Sequence, residues 1–269
     1  MKKNIENIKD YWEKYSCGEE LYLKDLTKES FDNYIKKRYR LEPYIIDFAE
    51  FSSSKDQNVL EIGVGIGADH LQFAKNDCSL HGIDLTERAI KLCRINMQLH
   101  NLDSNLSVGN SDSLQYENDY FDKVYSWGVI HHSPNTKKCV SEIYRVLRVG
   151  GTAKIMVYNY YSIVGFMLWV RFALFRLKLS MSLKEIYDEY LESPGTKAFT
   201  KRQAENLFSE FNQIQINSHL THADLLLSDV GQRYKKDLFL KFAKFIWPRF
   251  LIKVFMKNYG LFLLIEAKK

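Results

Sequence analysis

The stretch "VLEIGVGIGADH", residues 59–70, decides how the rest of the chain is read. An apolar run of strand type breaks into three glycines at alternate positions, Gly63, Gly65 and Gly67. Glycine lets a strand-to-helix turn pass close beneath a ligand and adopt torsion angles that a side chain would forbid. The free N–H groups of the following helix then point at that ligand. The stretch predicts a strand, a ligand-binding loop and a helix, in that order.

Helical and strand patterns alternate along the chain after this loop. Alternating elements of this length favour an α/β fold, in which helices cover both faces of a mostly parallel sheet. The predicted strands are residues 59–62, 80–85, 105–110, 121–127, 152–160, 213–220 and 260–269. The predicted helices are residues 68–76, 87–100, 136–147 and 200–211.

The same patterns divide the chain into four parts. Residues 1–55 have helical spacing with a break at Pro43, and we expect them to form an N-terminal helical lid. Residues 56–160 form the predicted ligand-binding core, and residues 161–199 an apolar and basic insertion. Residues 200–269 complete the predicted sheet and contain a basic lid insertion at about 220–258.

Charge, cysteines and hydropathy narrow the class of protein. The net charge of +5 is a mild excess that does not by itself indicate a nucleic-acid partner. The cysteines include no C-x-x-C pair, which argues against a zinc ribbon and fits a reducing compartment. The start of the chain lacks the apolar core of a signal peptide, so we expect a cytoplasmic protein. Residues 161–179 approach the length of a membrane span, but Arg171, Arg176 and Lys178 interrupt them.

Asp84 indicates which kind of ligand the loop binds. It ends the second predicted strand, 21 residues after Gly63, where a carboxylate can accept hydrogen bonds from both hydroxyls of a ribose. A solvated aspartate at a strand end is the alternative. Loop and acid together predict a nucleoside-bearing cofactor and fit both NAD and S-adenosylmethionine. Glu61 precedes the first glycine, and a carboxylate there favours a cationic ligand over a pyrophosphate.

Two later stretches add to the glycine loop. "GNSDSLQYENDYFDKVYSWGVIHHSP" covers residues 109–134, and "IYRVLRVGG" covers residues 143–151. With the loop, they resemble the class I S-adenosylmethionine-dependent methyltransferases, whose motifs read G-D-A-x-x-L-P-F, F-D-x-V, G-V-L-H-H and R-V-L-K-P-G-G. The resemblance spans about residues 57–160. It implies a Rossmann-like sheet of seven strands, mostly parallel, whose last strand is antiparallel.

The resemblance also implies roles for individual residues around S-adenosylmethionine, with S-adenosylhomocysteine as the product. Asn110 stands where the family usually has Asp, and its amide oxygen can still accept from the adenine amine. Arg38 could reach the cofactor carboxylate, since N-terminal helices of the family commonly fold over the site; an exposed helix arginine is the alternative. The implied cofactor residues are Arg38, Glu61, Gly63, Gly65, Gly67, Asp84, Leu85, Asn110, Ser111 and Trp127.

His131 and His132 are the predicted catalytic residues. They follow the fourth predicted strand and therefore lie at the carboxyl end of the sheet, where open α/β folds bind ligands. A neutral imidazole suits removal of a proton from an acceptor hydroxyl. The alternative is that one of the pair stabilises the turn that follows. Tyr158, at the end of the fifth strand, is a further candidate for the acceptor pocket or a packed core aromatic.

These residues predict an enzyme that methylates a small molecule, with oxygen preferred as the acceptor atom. The alternatives are an NAD-dependent oxidoreductase and a methyltransferase-like scaffold without turnover. The basic lid at 232–258 predicts a cover over the site, contact with an anionic membrane or lipid-like substrate, or contact with another anionic partner. The sequence contains no RNP-type motif, so we expect no nucleic-acid partner. His219, His222 and Asp224 resemble metal ligands in spacing, but no fourth ligand is evident, and we expect no metal.

Overall fold

One sheet organises the computed structural model, which describes residues 5–14, 16, 18–193, 195–227, 244–245 and 247–269. The strands are β1 (Asn58–Ile62), β2 (Ser79–Asp84), β3 (Asn105–Val108), β4 (Phe121–Trp127), β5 (Leu147–Asn159), β6 (Ala198–Phe199), β7 (Gln213–His219) and β8 (Phe262–Lys268). The helices are α1 (Ile5–Lys14), α2 (Glu19–Tyr22), α3 (Lys28–Leu41), α4 (Tyr44–Ala49), α5 (Ala68–Ala74), α6 (Glu87–Leu99), α7 (Thr136–Val146), α8 (Ile163–Trp169), α9 (Leu183–Ile186), α10 (Lys201–Leu207) and α11 (Arg249–Phe255). Short 3-10 turns cover Phe51–Ser54 and Lys257–Tyr259, and π-helical turns cover Val170–Leu174 and Tyr187–Leu191.

The strand order is β3-β2-β1-β4-β5-β8-β7. Strands β1 to β5 pair in parallel, whereas β8 runs antiparallel between β5 and β7. The prediction of a Rossmann-like, mostly parallel sheet with an antiparallel last strand is therefore confirmed. The two-residue strand β6 pairs with β5 beside Tyr158 and was not predicted, because two residues carry no periodicity.

Local sequence explains where the helices beside the sheet begin and end. The Thr86 hydroxyl accepts from the Ala89 N–H at the start of α6, and the Asn135 side chain accepts from the Lys138 N–H at the start of α7. Helix α3 ends at Leu41 and α4 begins at Tyr44, so the predicted break at Pro43 is confirmed. These caps leave the carboxyl ends of the strands open for a site.

The N-terminal helices are fastened to the sheet by the buried carboxylate of Asp69, on α5. Arg38 Nε donates to Asp69 Oδ1 at 3.0 Å, and the hydroxyls of Tyr39 and Tyr125 donate to the same carboxylate at 2.9 Å each. This one side chain therefore joins α3, α5 and β4. A carboxylate is stable out of water only when charge and hydrogen bonds compensate it in this way.

Helix α1 is attached to the N-terminus of α6. The Glu13 carboxylate accepts from the backbone N–H groups of Glu87 and Arg88, the first residues of α6, at 3.1 and 2.9 Å. Negative charge is favourable at a helix N-terminus. Arg88 in turn forms an ion pair with Glu19. These contacts hold α1 and α2 against the start of α6, and a lid role for residues 1–55 stays a prediction.

Residues 161–191 form the first insertion, with α8 and α9 packed around a small core of Phe172, Ala173 and Ile186. No helix in the described part of the chain is long and apolar enough to cross a membrane. Residues 228–243 and 246 of the predicted basic lid lie outside the described residues, and with them Arg233, Lys235, Lys236, Asp237, Leu238, Lys241, Phe242 and Ile246. The four-part division of the chain stays a prediction.

Asp224 connects the two insertions to the sheet and is not poised as a metal ligand. Its Oδ2 accepts from the backbone N–H of Thr221 at 2.8 Å, the Thr221 hydroxyl at 2.8 Å and the backbone N–H of Leu261 at 2.9 Å. Its Oδ1 accepts from the Val164 N–H in α8 at 3.3 Å. The carboxylate is fully buried, so its oxygens serve the backbone of three segments.

We expect Asp224→Ala to lower the free energy of unfolding by about 2–4 kcal/mol, because it leaves several buried N–H groups without an acceptor. Asp224→Asn, which keeps one acceptor oxygen, should lose less. The measurement is urea unfolding followed by circular dichroism, with the exposed Asp47→Ala as control. Equal stability of Asp224→Ala and the control would show that the carboxylate does not hold the insertions.

Candidate functional site

A cavity of about 300 Å³ lies at the carboxyl ends of β1, β2, β4 and β5. Ligands of open α/β sheets bind at this edge. Most of the predicted site residues line this one cavity: Arg38, Glu61, Gly63, Gly65, Asp84, Leu85, Asn110, Ser111, Trp127, His132 and Tyr158. Gly67 and His131 are not among its lining residues. The structure thus brings together residues from six separate stretches of sequence.

The three glycines of the loop have different surroundings. A Cβ on Gly63 would lie 2.1 Å from Val129 Cγ2, and one on Gly67 would lie 2.7 Å from Cys93 Sγ. A Cβ on Gly65 would meet no atom within 4 Å, and its φ of +52° is in the left-handed region. Gly63 and Gly67 therefore allow close packing of the loop, whereas Gly65 keeps the cavity open.

Asp84 lies at the end of β2, as predicted. Its Oδ2 accepts from the Gly65 N–H at 3.2 Å, and its Oδ1 accepts from the backbone N–H and hydroxyl of Thr86 at 3.0 and 2.9 Å. Burial raises the pKa of Asp84 above its ordinary value. The Asp84 carboxylate thus stabilises the glycine loop through the Gly65 N–H and also lines the cavity.

Glu61 has a partner that the sequence did not indicate. Its Oε2 lies 2.9 Å from Nδ1 of the fully buried His70, whose Nε2 lies 2.8 Å from the Ser104 hydroxyl. Burial raises the pKa of Glu61 well above its usual range and lowers the pKa of His70 to about 3. His70 is therefore neutral at physiological pH. If a cationic ligand causes Glu61 to ionise, His70 adds no positive charge that would offset the Glu61 carboxylate.

In the structure, Arg38 is paired with Asp69. The guanidinium donates to that carboxylate and lies 3.5 Å from Glu42, so it is held rigidly at the cavity wall. The predicted contact with a cofactor carboxylate stays a prediction. Burial raises the pKa of Glu42 to about 7, and no sequence motif had marked this residue.

At the opposite end of the cavity, Asn110 and Ser111 make local contacts. The Asn110 amide oxygen accepts from the Asp112 N–H at 3.2 Å, and the Ser111 hydroxyl lies 3.2 Å from Cys139 Sγ. The oxygen that we expected to receive an adenine amine therefore also stabilises the turn after β3. The adenine contact stays a prediction.

His132, Glu192 and Tyr158 lie together at one end of the cavity. His132 Nε2 lies 3.3 Å from Glu192 Oε2, and the Tyr158 hydroxyl donates to the same oxygen at 2.7 Å. On the other side of the ring, Nδ1 lies 3.0 Å from the Ser193 hydroxyl and 3.3 Å from the Thr196 hydroxyl. All three site residues line the cavity.

His131 lies behind this group. Its ring is fully buried, and its centroid is 4.3 Å from the ring centroids of both His132 and Tyr158. Because His131 does not line the cavity, the geometry separates the two predicted histidines: His132 borders the cavity, whereas His131 packs against residues that do.

One group of described residues has ligand atoms close enough to hold a metal ion: His131, His132 and Glu192, whose atoms lie within 4.8 Å of one another. The trio of His219, His222 and Asp224 does not form such a group among the described residues. Asp224 is engaged by backbone N–H groups, and the His219 ring packs 3.9 Å from that of Tyr44.

Lining residues that the sequence analysis missed include Trp12, Glu42, Asp69 and Glu192. Trp12 belongs to a face of α1, with Ile5 and Ile8, that covers the cavity, and the spacing of these three residues could have indicated it. Glu42 and Glu192 carried no such signal, because neither belongs to a motif.

The charges of the cavity are unequal. Arg38 is the one arginine or lysine among the described lining residues, and it is paired with Asp69. The lining carboxylates are Glu42, Glu61, Asp69, Asp84 and Glu192. An acidic cavity of this kind fits a cationic ligand and disfavours a pyrophosphate.

Comparison with known proteins identifies the family of the matching domain. The profile of a family described as "Methyltransferase domain" matches residues 60–155. The chain is 34% identical over 195 residues to phosphoethanolamine N-methyltransferase 2 of Caenorhabditis elegans, covering 68% of this chain and 42% of the relative. It is 35% identical over 97 residues to phthiotriol/phenolphthiotriol dimycocerosates methyltransferase of Mycobacterium leprae, covering 35% of each.

Among solved structures, phosphoethanolamine N-methyltransferase 2 of Haemonchus contortus, in complex with S-adenosyl-L-methionine, has a TM-score of 0.59 and 21% identity. The alignment covers 86% of this chain and 52% of that one, and it shows a shared fold. The chain spans less than half the length of the two curated relatives. The matching domain and these relatives show that the chain belongs to the class I S-adenosylmethionine-dependent methyltransferase family.

Proposed function

We propose that this protein transfers a methyl group from S-adenosylmethionine to a small-molecule acceptor, with oxygen as the preferred acceptor atom. The observation that carries the proposal is the acidic cavity, which opens above Gly65 and contains His132, Glu192 and Tyr158 at one end. S-adenosylmethionine supplies an electrophilic methyl carbon on a cationic sulfur and leaves as neutral S-adenosylhomocysteine.

The residues of the cavity fit this cofactor. Gly65 leaves space for it, Asp84 would bind the ribose, and Leu85, Asn110 and Ser111 would border the adenine. Trp127, Arg38 and Glu42 also line the cavity and would border the methionine end. The excess of carboxylates supports a sulfonium cofactor over NAD, whose pyrophosphate would face unfavourable charge.

His132 is our candidate for the general base. His132 Nδ1 faces the Ser193 and Thr196 hydroxyls at 3.0 and 3.3 Å, and Nε2 faces the Glu192 carboxylate at 3.3 Å, so either ring nitrogen can carry the proton of the neutral imidazole. Glu192 would stabilise the imidazolium that forms when His132 takes a proton from an acceptor hydroxyl.

The same charges bear on the acceptor. Phosphoethanolamine is named for the nematode relatives, but the described lining offers a phosphate one guanidinium, which Asp69 and Glu42 already neutralise. We therefore infer an acceptor that is neutral or cationic where it meets this lining. The aromatic rings of Trp12, Trp127 and Tyr158 suit an apolar or aromatic body. The presence of a base beside these rings supports an enzyme over a scaffold without turnover.

We expect Asp84→Ala to weaken S-adenosylmethionine binding about 10- to 100-fold, because charge-assisted hydrogen bonds to the ribose are lost. Gly65→Val should weaken it at least as much by filling the cavity. Isothermal titration calorimetry measures both. Gly150→Val is the matched control: Gly150 also has a positive φ and open space at its Cβ, yet it lies outside the cavity. Wild-type affinity in both Asp84→Ala and Gly65→Val would mean that the cofactor binds elsewhere.

The raised pKa of Glu42 predicts a pH dependence of cofactor binding. With a pKa of about 7, Glu42 is mostly protonated at pH 6 and must lose a proton when a cation enters. The affinity for S-adenosylmethionine should therefore rise up to about tenfold between pH 6 and pH 8. S-adenosylhomocysteine lacks the sulfonium charge and should show a flatter profile. Glu42→Gln should flatten the profile of S-adenosylmethionine; equal slopes for both ligands would contradict an electrostatic origin.

If His132 is the general base, His132→Ala should lower turnover about 10²- to 10⁴-fold with little change in cofactor affinity. Glu192→Gln should cause a smaller loss, since it removes the charge that stabilises the imidazolium. The assay is S-adenosylhomocysteine release with a panel of phenols, alcohols and amines. His81→Ala, outside the cavity, serves as control. Unchanged turnover in His132→Ala would exclude the assigned base.

A further inference from the structure

Two segments expose large apolar side chains away from the sheet. Residues 161–181 contain α8 and the turns that follow it, and residues 244–259 contain α11. We call their exposed side chains the docking face. In the first segment, Phe166 is 61% and Leu177 87% exposed; in the second, Phe250 is 75% and Phe255 74% exposed. Further exposed apolar members are Phe175, Leu179, Leu251 and Val254.

The two segments are held together by a small apolar cluster. Ile163 of α8 and Ile252 of α11 are buried with Leu225, and Met167 and Trp247 pack against them. The Trp247 indole N–H donates to the Asp224 carbonyl at 2.9 Å. The helices therefore present their buried sides to each other, while Phe166 and Phe250 remain in solvent.

The charge of the docking face is of one sign. Residues 161–181 contain Arg171, Arg176 and Lys178 and no acidic residue. The described residues from 244 to 259 contain Lys244, Arg249, Lys253 and Lys257, also without an acidic residue. Arg176, Lys178, Lys253 and Lys257 are exposed. Apolar and basic side chains are thus interleaved on both segments.

One stretch of chain connects the docking face with the end of the cavity that contains His132 and Glu192. The chain leaves the cavity at Tyr158, forms α8 and α9, and returns to it at Glu192. The hydrogen bond from the Tyr158 hydroxyl to Glu192, 2.7 Å long, closes this segment at its base. A surface that engages the docking face is therefore joined to the acceptor site by one stretch of chain.

We propose that the docking face binds the surface of an anionic lipid bilayer. Exposed phenylalanine and leucine side chains can enter the boundary between head groups and acyl chains, and the lysines and arginines beside them attract anionic head groups. A nucleic acid would use the charges but offer little to Leu177, Leu179 and Val254. Where the proposed methyl transfer also holds, the acceptor belongs to the class of membrane-borne, lipid-like molecules.

The test is co-sedimentation of the full chain with vesicles, without cofactor, so that its outcome is independent of methyl transfer. One set of vesicles contains phosphatidylcholine alone, and the other contains phosphatidylcholine with phosphatidylglycerol. We expect binding to the anionic vesicles at low salt that declines as salt is raised. Lys253→Glu with Lys257→Glu should reduce the partition coefficient by at least about 25-fold, since each lost basic residue contributes about fivefold and each new carboxylate is repelled by the surface.

The control carries the same charge change elsewhere, Lys55→Glu with Lys137→Glu, at exposed positions outside the docking face. It should bind as the wild type does. A third variant, Phe250→Ser with Phe255→Ser, keeps the charge and should also lose binding. The proposal is overturned if the wild type does not bind anionic vesicles at low salt, if both charge variants lose binding equally, or if the serine variant binds normally. The last result would indicate attraction to polyanions in general.

Discussion

The buried carboxylate of Asp69 is the contact on which the site depends. Arg38, Tyr39 and Tyr125 donate to it from α3 and β4, while its own helix follows the glycine loop. Burial raises the pKa of both Tyr39 and Tyr125, so each hydroxyl stays a neutral donor. Because removal of one partner from such a group leaves charge uncompensated, the N-terminal helices cannot leave the sheet without a large cost. They therefore form a permanent wall of the cavity.

That wall sets the electrostatics of the site. The guanidinium of Arg38 is paired with Asp69. The other lining carboxylates share the cavity with no further lysine or arginine among its described lining residues. The cavity thus favours a cation, whose entry stabilises the ionised forms of these carboxyl groups. Residues 161–192 supply Glu192 beside His132 and also carry one part of the docking face, so this segment links the proposed chemistry to the proposed membrane contact.

Much of the fold follows from local pattern, and less of the site does. The glycine loop, Asp84 and the alternating elements could be predicted, because each depends on neighbours in sequence. Glu192 could not be, since the insertion returns it to the cavity through tertiary packing. His131 and His132 are adjacent, and a sequence does not say which of two neighbours faces the ligand. The sequence also could not show that Gly63 and Gly67 serve close packing, because the residues that pack against them, Val129 and Cys93, lie elsewhere in the chain.

The central claim is that the acidic cavity holds S-adenosylmethionine. Calorimetric titration of the wild-type protein with S-adenosylmethionine and, separately, with NAD⁺ tests it directly. The account predicts saturable one-to-one binding of S-adenosylmethionine and no measurable binding of NAD⁺ at the same concentrations. Binding of NAD⁺ without binding of S-adenosylmethionine would contradict it.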